Sequence, residues 1–378
     1  MRKVTIGEIT ENLDNRRKPL NNQARAKISK EKLYPYYGAN NVMDYVDEYI
    51  FDEEILCIAE DGGSWGLKER CSYIVKEKCW INNHAHVLKV KSGNNIKYLY
   101  YYLNYNDLNK YITGSTRGKL TKSALNNIEI FLPEEFEQNK IVEVLDRVQS
   151  LIDKKKEQIE LLDELVKSRF IEMFGDVLTS NKFGESILKE VADITSSKRI
   201  YANEYVENGI PFYRSKEIRE LGENLKPSIE LFISEEKYNL IKEKYEIPKK
   251  GDILIAAIGA TIGYTWIVNT DEPFYYKDGN LLNISVNKNM NPIYLNHVLK
   301  ILINNFKYRE ASGSAQLALT IDKVGKMEIP VPPIELQNEF AEFVTQTDSI
   351  RSKMETSLSE LEDNFNSLMQ KAFKGELF

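Results

Sequence analysis

No stretch of this 378-residue sequence approaches the roughly 18 consecutive apolar residues needed to cross a bilayer. The opening Met1-Arg2-Lys3-Val4-Thr5-Ile6-Gly7 lacks the apolar run of a secretion signal. A cytoplasmic protein with no membrane partner is expected. Cysteine is scarce and odd in number: Cys57, Cys71 and Cys79. That argues against a disulfide framework and suits a reducing compartment. An excess of positive charge is also missing, with 51 Lys+Arg against 57 Asp+Glu and a net charge of −6. Such a balance argues against nucleic-acid binding through bulk charge. The deficit is local, however. Residues 1–130 carry 20 basic against 16 acidic groups and 175–330 carry 20 against 21, while 131–174 carry 7 against 11 and 331–378 carry 4 against 9.

Signatures of catalysis are missing as well. Gly62-Gly63 and the turn from Gly259 to Gly263 are followed by no Gly-Lys-Ser/Thr that would cradle a triphosphate. Neither a glycine-rich S-adenosylmethionine motif nor a Ser/His/Asp or carboxylate–lysine set stands out. Asn291-Pro292-Ile293-Tyr294 comes within one residue of the Asn-Pro-Pro-Tyr that holds a flipped adenine in amino-methyltransferases. The second proline is missing, and the segment reads as a helix N-cap with its first turn. Cys71, Cys79, His84 and His86, spaced by eight, five and two, lack the Cys-x-x-Cys knuckle of a zinc site. No metal and no catalytic residue is assigned.

What the chain does have is a copy of itself. A shift of 199 residues aligns 110–174 with 309–373 without a gap, and fifteen of the 65 pairs are identical. Gly114-Ser115, Leu120-Thr121, Pro133, Gln138-Asn139 and Phe174 match Gly313-Ser314, Leu319-Thr320, Pro332, Gln337-Asn338 and Phe373. A period near 200 residues is too long for a solenoid and marks a duplicated two-part unit. Upstream, the halves agree only in outline. Glu54-Ile55-Leu56-Cys57-Ile58-Ala59 and Ile253-Leu254-Ile255-Ala256-Ala257-Ile258 read as buried strands. Each runs into a glycine turn, and helical stretches follow around 96–105 and 292–306.

The repeated tails have heptad spacing. Steps of four and three pass through Ile141, Leu145, Val148, Ile152, Lys155, Ile159, Leu162, Val166, Arg169 and Met173. The second register is Phe340, Val344, Thr347, Arg351, Met354, Leu358, Leu361, Phe365, Leu368 and Ala372. Eight of ten positions are apolar in each. Prolines precede both helices, and Gly175 and Gly375 follow as C-terminal caps. A heptad helix alone is as consistent with dimerisation as with anything else. Two matched helices in one chain can pair in cis, and a helix of about 33 residues spans roughly 50 Å. The expected class is α/β (α+β). Globular heads at 1–132 and 179–331 are each followed by a helix, at 133–178 and 332–378. The helices pair as an antiparallel coiled coil with pseudo-two-fold symmetry.

With these residues in view, the chain resembles the specificity subunits of type I restriction-modification enzymes. The resemblance is carried by Gly251-Asp252-Ile253-Leu254-Ile255-Ala256 with Ile258-Gly259-Ala260-Thr261-Ile262-Gly263 and by Ser312-Gly313-Ser314-Ala315-Gln316. Glu60-Asp61-Gly62-Gly63 with Trp80-Ile81-Asn82-Asn83-His84-Ala85-His86, and the ending Gln370-Lys371-Ala372-Phe373-Lys374-Gly375-Glu376-Leu377, add to it. It covers essentially the whole chain. It implies a non-catalytic subunit whose two heads each read half of a split, asymmetric site in double-stranded DNA. Its helices would dock two methyltransferase subunits, and motor-nuclease subunits would join. Cofactors would lie in the partners, S-adenosylmethionine in the methyltransferase and ATP with Mg in the motor-nuclease.

Base edges are read by Arg, Lys, Asn, Gln, Ser and Thr, and phosphates by cations and backbone amides. The DNA-contact candidates in the first head are therefore Tyr36, Tyr37, Asn40, Lys68, Arg70, Asn82, Asn83, Arg117, Lys119 and Lys122. In the second they are Tyr213, Arg214, Lys216, Thr261, Tyr264, Ser314 and Gln316. For any one of them an ordinary solvated or core role is the simpler reading, so they stand as sets. Two other classes remain open: a self-sufficient DNA methyltransferase or nuclease, and a coiled-coil scaffold that never touches DNA.

Overall fold

The computed structural model describes residues 1–114, 116–180, 182–310 and 317–377. It divides into two compact units, Met1–Glu157 with Glu355–Phe378, and Gln158–Met354. Among the described residues no helix is long and apolar enough to cross a membrane.

The first unit is built on a four-stranded antiparallel sheet, ordered Thr10–Asn12, Ala85–Val90, Ile55–Ala59, Ser72–Val75. Its strand Ile55–Ala59 is apolar throughout because both faces of the sheet are covered. Side chains alternate across a strand, so Leu56 and Ile58 enter a core with Leu88, Tyr98 and Leu99, while Ile55 and Cys57 enter one with Phe51, Val75 and Val87. A smaller sheet joins Val42–Val46, Tyr34–Tyr37 and Trp80–Ile81. Strand Arg2–Thr5 pairs with Glu129–Leu132.

The second unit repeats this plan. Its four-stranded sheet is ordered Ala192–Thr195, Leu281–Val286, Ile253–Ala256, Thr265–Ile267. Again the central strand is shared, Ile253 and Ile255 facing one core and Leu254 and Ala256 the other. Strand Glu185–Ile187 pairs with Glu328–Pro330. The units differ in their additions. The second has the helices Ser215–Gly222 and Glu235–Lys244 beside a small sheet of four strands, where the first has three.

Two long helices, Glu135–Phe174 and Ile334–Lys374, supply both units. Residues 135–157 lie in the first unit with 355–374, and 158–174 lie in the second with 334–354. Within each unit the segments run antiparallel. In the first, Lys156 pairs with Glu362 at 2.8 Å, while Ile141 and Leu145 share a core with Met369, Ala372 and Phe373. In the second, Arg351 reaches Asp163 at 2.6 Å and Arg169 reaches Glu339 at 2.8 Å. Of the heptad positions, Ile141, Leu145, Ile152, Val166, Met173, Phe340, Val344, Thr347 and Ala372 are buried. Val148, Ile159, Leu162, Met354, Leu358, Leu361, Phe365 and Leu368 are half-buried. Gly175 and Gly375 end the helices with φ of 82° and 76°, the left-handed cap that glycine adopts without a Cβ penalty.

The repeated Gln-Asn pair has a definite task. Gln138, fully buried, accepts from the Asn95 backbone N–H (2.7 Å) and donates to the Pro133 carbonyl (2.9 Å). Gln337 does the same with Asn291 (2.8 Å) and Pro332 (2.8 Å). The neighbouring Asn139 and Asn338 accept from the side chains of Asn95 and Asn291. Those two asparagines cap Ile96–Tyr105 and Pro292–Glu310, accepting from Lys97 and Tyr98 and from Ile293 and Tyr294. Asn291-Pro292-Ile293-Tyr294 is thus an N-cap and first turn. Its tyrosine hydroxyl donates to the Pro330 carbonyl, as that of Tyr98 does to Phe131.

Candidate nucleic-acid interface

In both units the segment before the repeated Leu-Thr lies against the end of the central strand. Leu120 N–H donates to the Glu60 carbonyl and Asp61 bridges Lys119. Leu319 N–H donates to the Ala257 carbonyl and Ile258 bridges Ala318. Thr121 and Thr320 then cap the next helix through their hydroxyls. The repeat therefore places the residues next to its Leu-Thr beside a glycine turn at one edge of each head.

In the first unit three further groups converge on Asp61-Gly62. Asn40, exposed in the turn between Tyr34–Tyr37 and Val42–Val46, donates to the Gly62 carbonyl at 3.4 Å. Arg117, side chain 66% exposed, and His84 both contact Asp61 Oδ1, at 2.8 and 2.7 Å. Gly62 has φ of 68°, and a Cβ there would lie 3.0 Å from the Arg117 guanidinium, so this turn needs glycine. Lys119 reaches Glu60 at 3.0 Å.

Beneath this edge lies a closed ionic network. His86 is buried between Asp14 (2.6 Å, through Nδ1) and the Leu120 carbonyl (2.7 Å, through Nε2). Arg17 bridges Asp14 and Glu60. Asp14, Glu60 and His86 are the one grouping of three ligand-type side chains among the described residues. Their atoms are already spent on Arg17, Lys119, Leu120 and one another. Burial pushes the Asp14 carboxyl up, but His86, the Val87 amide and Asn12 overcome it and hold the group below its ordinary value. Stabilisation from a depressed carboxylate is present above its unfolded pKa near 4 and is lost as pH falls through the folded value. We expect His86→Phe to lower the melting temperature of the first unit at pH 7 and to lessen its loss of stability below pH 4. An unchanged acid limb in that variant would refute the assignment.

The remaining candidates are dispersed. Lys68 and Arg70 are exposed in the segment after the Gly62 turn, where Lys68 has φ of 62° and its N–H donates to the Tyr105 carbonyl. Asn83 is exposed, and Lys122 is exposed at the start of Lys122–Asn126. Tyr36 and Asn82 are buried. Tyr36 OH accepts from Leu20 N–H, and Asn82 Oδ1 accepts from His84 N–H. Tyr37 donates to Glu77 and stacks on Tyr73.

In the second unit Thr261 and the exposed Tyr264 lie on the glycine turn. A Cβ on Gly263 would meet Ile303 at 2.7 Å, so the turn sits hard against Pro292–Glu310. Tyr308, 86% exposed, lies in the last turns of the same helix. Tyr213 is buried and stacked on Phe274. Arg214 is bound to Glu217 and Glu230, and Lys216 to Glu230. Ser314 and Gln316 lie outside the described residues. In the sequence Asp61 and His84 stand out only as members of the Glu60–Gly63 and Trp80–His86 motifs. An Asp-Gly-Gly turn facing Asn-Asn-His was the signal available for them.

These two edges, carried by duplicated heads and long helices, belong to a DNA-specificity protein. The family model for the type I restriction modification DNA specificity domain matches residues 1–162 and 181–363, and the chain belongs to that family. It is a specificity subunit of a type I restriction-modification system, the DNA-recognition component, and catalytic activity belongs to the partner subunits. A Haemophilus influenzae protein described as a type I restriction enzyme specificity subunit is 32% identical over 372 residues, 95% of this chain and 92% of that protein. The Methanocaldococcus jannaschii MjaVIII specificity subunit is 24% identical over 359 residues, 85% of this chain and 80% of its own. In fold, the chain is similar to the crystal structure of a type I S subunit from M. genitalium. The TM-score is 0.61 at 18% identity, covering 98% of this chain and 96% of that one.

Proposed function

We propose that each head, 1–132 and 179–331, reads one half of a split, asymmetric site in double-stranded DNA. The helical segments 133–178 and 332–378 fix the unspecified spacer and dock two methyltransferase subunits. The observation that carries this reading is one edge built twice from the same backbone parts with different side chains. Asn40, Asp61, His84, Arg117 and Lys119 furnish it in the first unit, and Thr261 and Tyr264 in the second. Equal scaffolds with unlike surfaces suit two unlike half-sites.

The long helices are acidic, and Leu161, Leu165 and Ile171 are exposed on the first of them. Such a surface favours a protein partner over phosphate. Adenine methylation is then performed by the docked subunits with S-adenosylmethionine. Motor-nuclease subunits using ATP and Mg complete the enzyme in the cytoplasm. Partner charge supplies the non-specific phosphate affinity that a chain of net charge −6 lacks.

Co-expression with the neighbouring methyltransferase, followed by methylome sequencing, tests this. One new split motif with a constant spacer and unlike half-sites is expected. A palindromic motif would count against two independent readers. No methylation from an assembled complex would favour the scaffold reading.

A further inference from the structure

Two histidines, two residues apart, are clamped in the same way and end differently. His86 gives Nδ1 to a carboxylate and buries Nε2 against a carbonyl. His84 also gives Nδ1 to a carboxylate, Asp61 Oδ1, but its side chain is 38% exposed. Among the described residues its Nε2 has no hydrogen-bond partner. The backbone on both sides is pinned. His84 N–H donates to Oδ1 of the buried Asn82 at 2.7 Å, its carbonyl accepts from Glu60 N–H at 2.8 Å, and Asn82 N–H donates to the Tyr37 carbonyl. An exposed polar ring is thus held in one orientation by buried parts, and it shares its carboxylate oxygen with Arg117. Holding a solvent-facing ring this firmly adds little to the core. It does remove the side-chain entropy that would otherwise be lost on binding.

We propose that His84 reads a base in the first half-site and that Asp61 is its positioning residue. This rests on the DNA-reading role of the edge. Asp61 accepts the Nδ1 proton and Arg117 supplies its countercharge. The imidazole then presents Nε2 outward as a hydrogen-bond acceptor. Its complement in the major groove is an exocyclic amino group, adenine N6 or cytosine N4. Arg117, with Nη2 kept on Asp61 and the rest of its exposed guanidinium free to meet a phosphate, would position the duplex without reading it.

The test uses the assembled methyltransferase complex, with binding measured on the cognate duplex, on duplexes changed at single positions of the first half-site, and on random DNA. For His84→Ala, cognate affinity falls about tenfold, the scale of one lost base contact. Random-DNA affinity and salt dependence stay unchanged, and discrimination relaxes at one base pair only. His84→Asn, which keeps a donor for Asp61 but shortens the outward reach, relaxes the same position. Asp61→Asn gives a smaller loss there, and adding it to His84→Ala gives no further loss. Arg117→Ala instead weakens all duplexes alike and lowers the salt slope by about 1. Equal losses on all duplexes for His84→Ala, or an unchanged profile in both His84 variants, overturn the proposal. A wild-type complex without sequence preference would instead overturn the reading of the edge itself.

Discussion

Phe174→Ala is expected to destabilise the second unit by about 3–5 kcal/mol, the range for truncating a buried aromatic side chain. The first unit should be spared. The expectation runs against chain order, since Phe174 closes the helix that follows the first head. Its ring is 3% exposed and packs on Tyr294 at 4.7 Å, Phe170 at 5.0 Å and Phe340 at 5.6 Å, all in the second unit. Phe373, at the end of the second helix, packs on Tyr102 at 5.1 Å and on Tyr98 and Tyr105 at 5.6 Å, in the first. Phe373→Ala should therefore weaken the first unit by a similar amount. Segment-resolved hydrogen exchange reads the difference. Protection should fall across Pro292–Glu310 for Phe174→Ala and across Ile96–Tyr105 for Phe373→Ala. Loss in the opposite unit, or equal loss in both, would show that the exchanged packing does not govern stability.

A pH decrease from about 6.5 to 4 should weaken the second unit more than the first. His297 lies between the rings of Phe170 (6.2 Å) and Phe340 (5.1 Å). Burial, assisted by the charge of Lys300, pushes its pKa down to about 4. Unfolded, the group titrates near 6.5. Between those values the unfolded chain binds more protons, so stability rises with pH and falls on acidification, by at most about 1.4 kcal/mol per pH unit. Full stability from the neutral ring is present above the unfolded value and is lost as pH drops towards 4. The first unit has Tyr101 in the corresponding place, its hydroxyl donating to Asp146 at 2.8 Å. His297→Phe should flatten the pH 4–6.5 response of the second unit in denaturant titrations. A retained slope in that variant would assign the effect to another group.

The parts of the fold legible in the sequence were those with a local cause. Heptad spacing exposed both long helices, Gly175 and Gly375 marked their ends, and Asn291 announced a cap. The continuous apolar run at Ile55–Ala59 signalled burial on both sides. Less was legible where the cause is non-local. Periodicity tells which face of a helix is covered but not by what, so the exchange of Phe174 and Phe373 between units was hidden. Residue type alone did not separate exposed side chains from those already engaged. Asn82 and Tyr36 are polar in character yet spend their groups inside. Arg214 and Lys216 are basic yet engaged by Glu217 and Glu230. Asp61, acidic and so passed over as a DNA contact, organises the first edge.

The joint made by Gln138 with Asn95, and again by Gln337 with Asn291, has a consequence for exchange of the heads. It satisfies buried polar groups on the head and on the helix with the same bonds in both copies. A foreign head that carries the capping asparagine and the tyrosine three residues on would meet the helix with no donor or acceptor left over. Exchange of a head at this joint would therefore leave the buried hydrogen bonds of the helix frame intact.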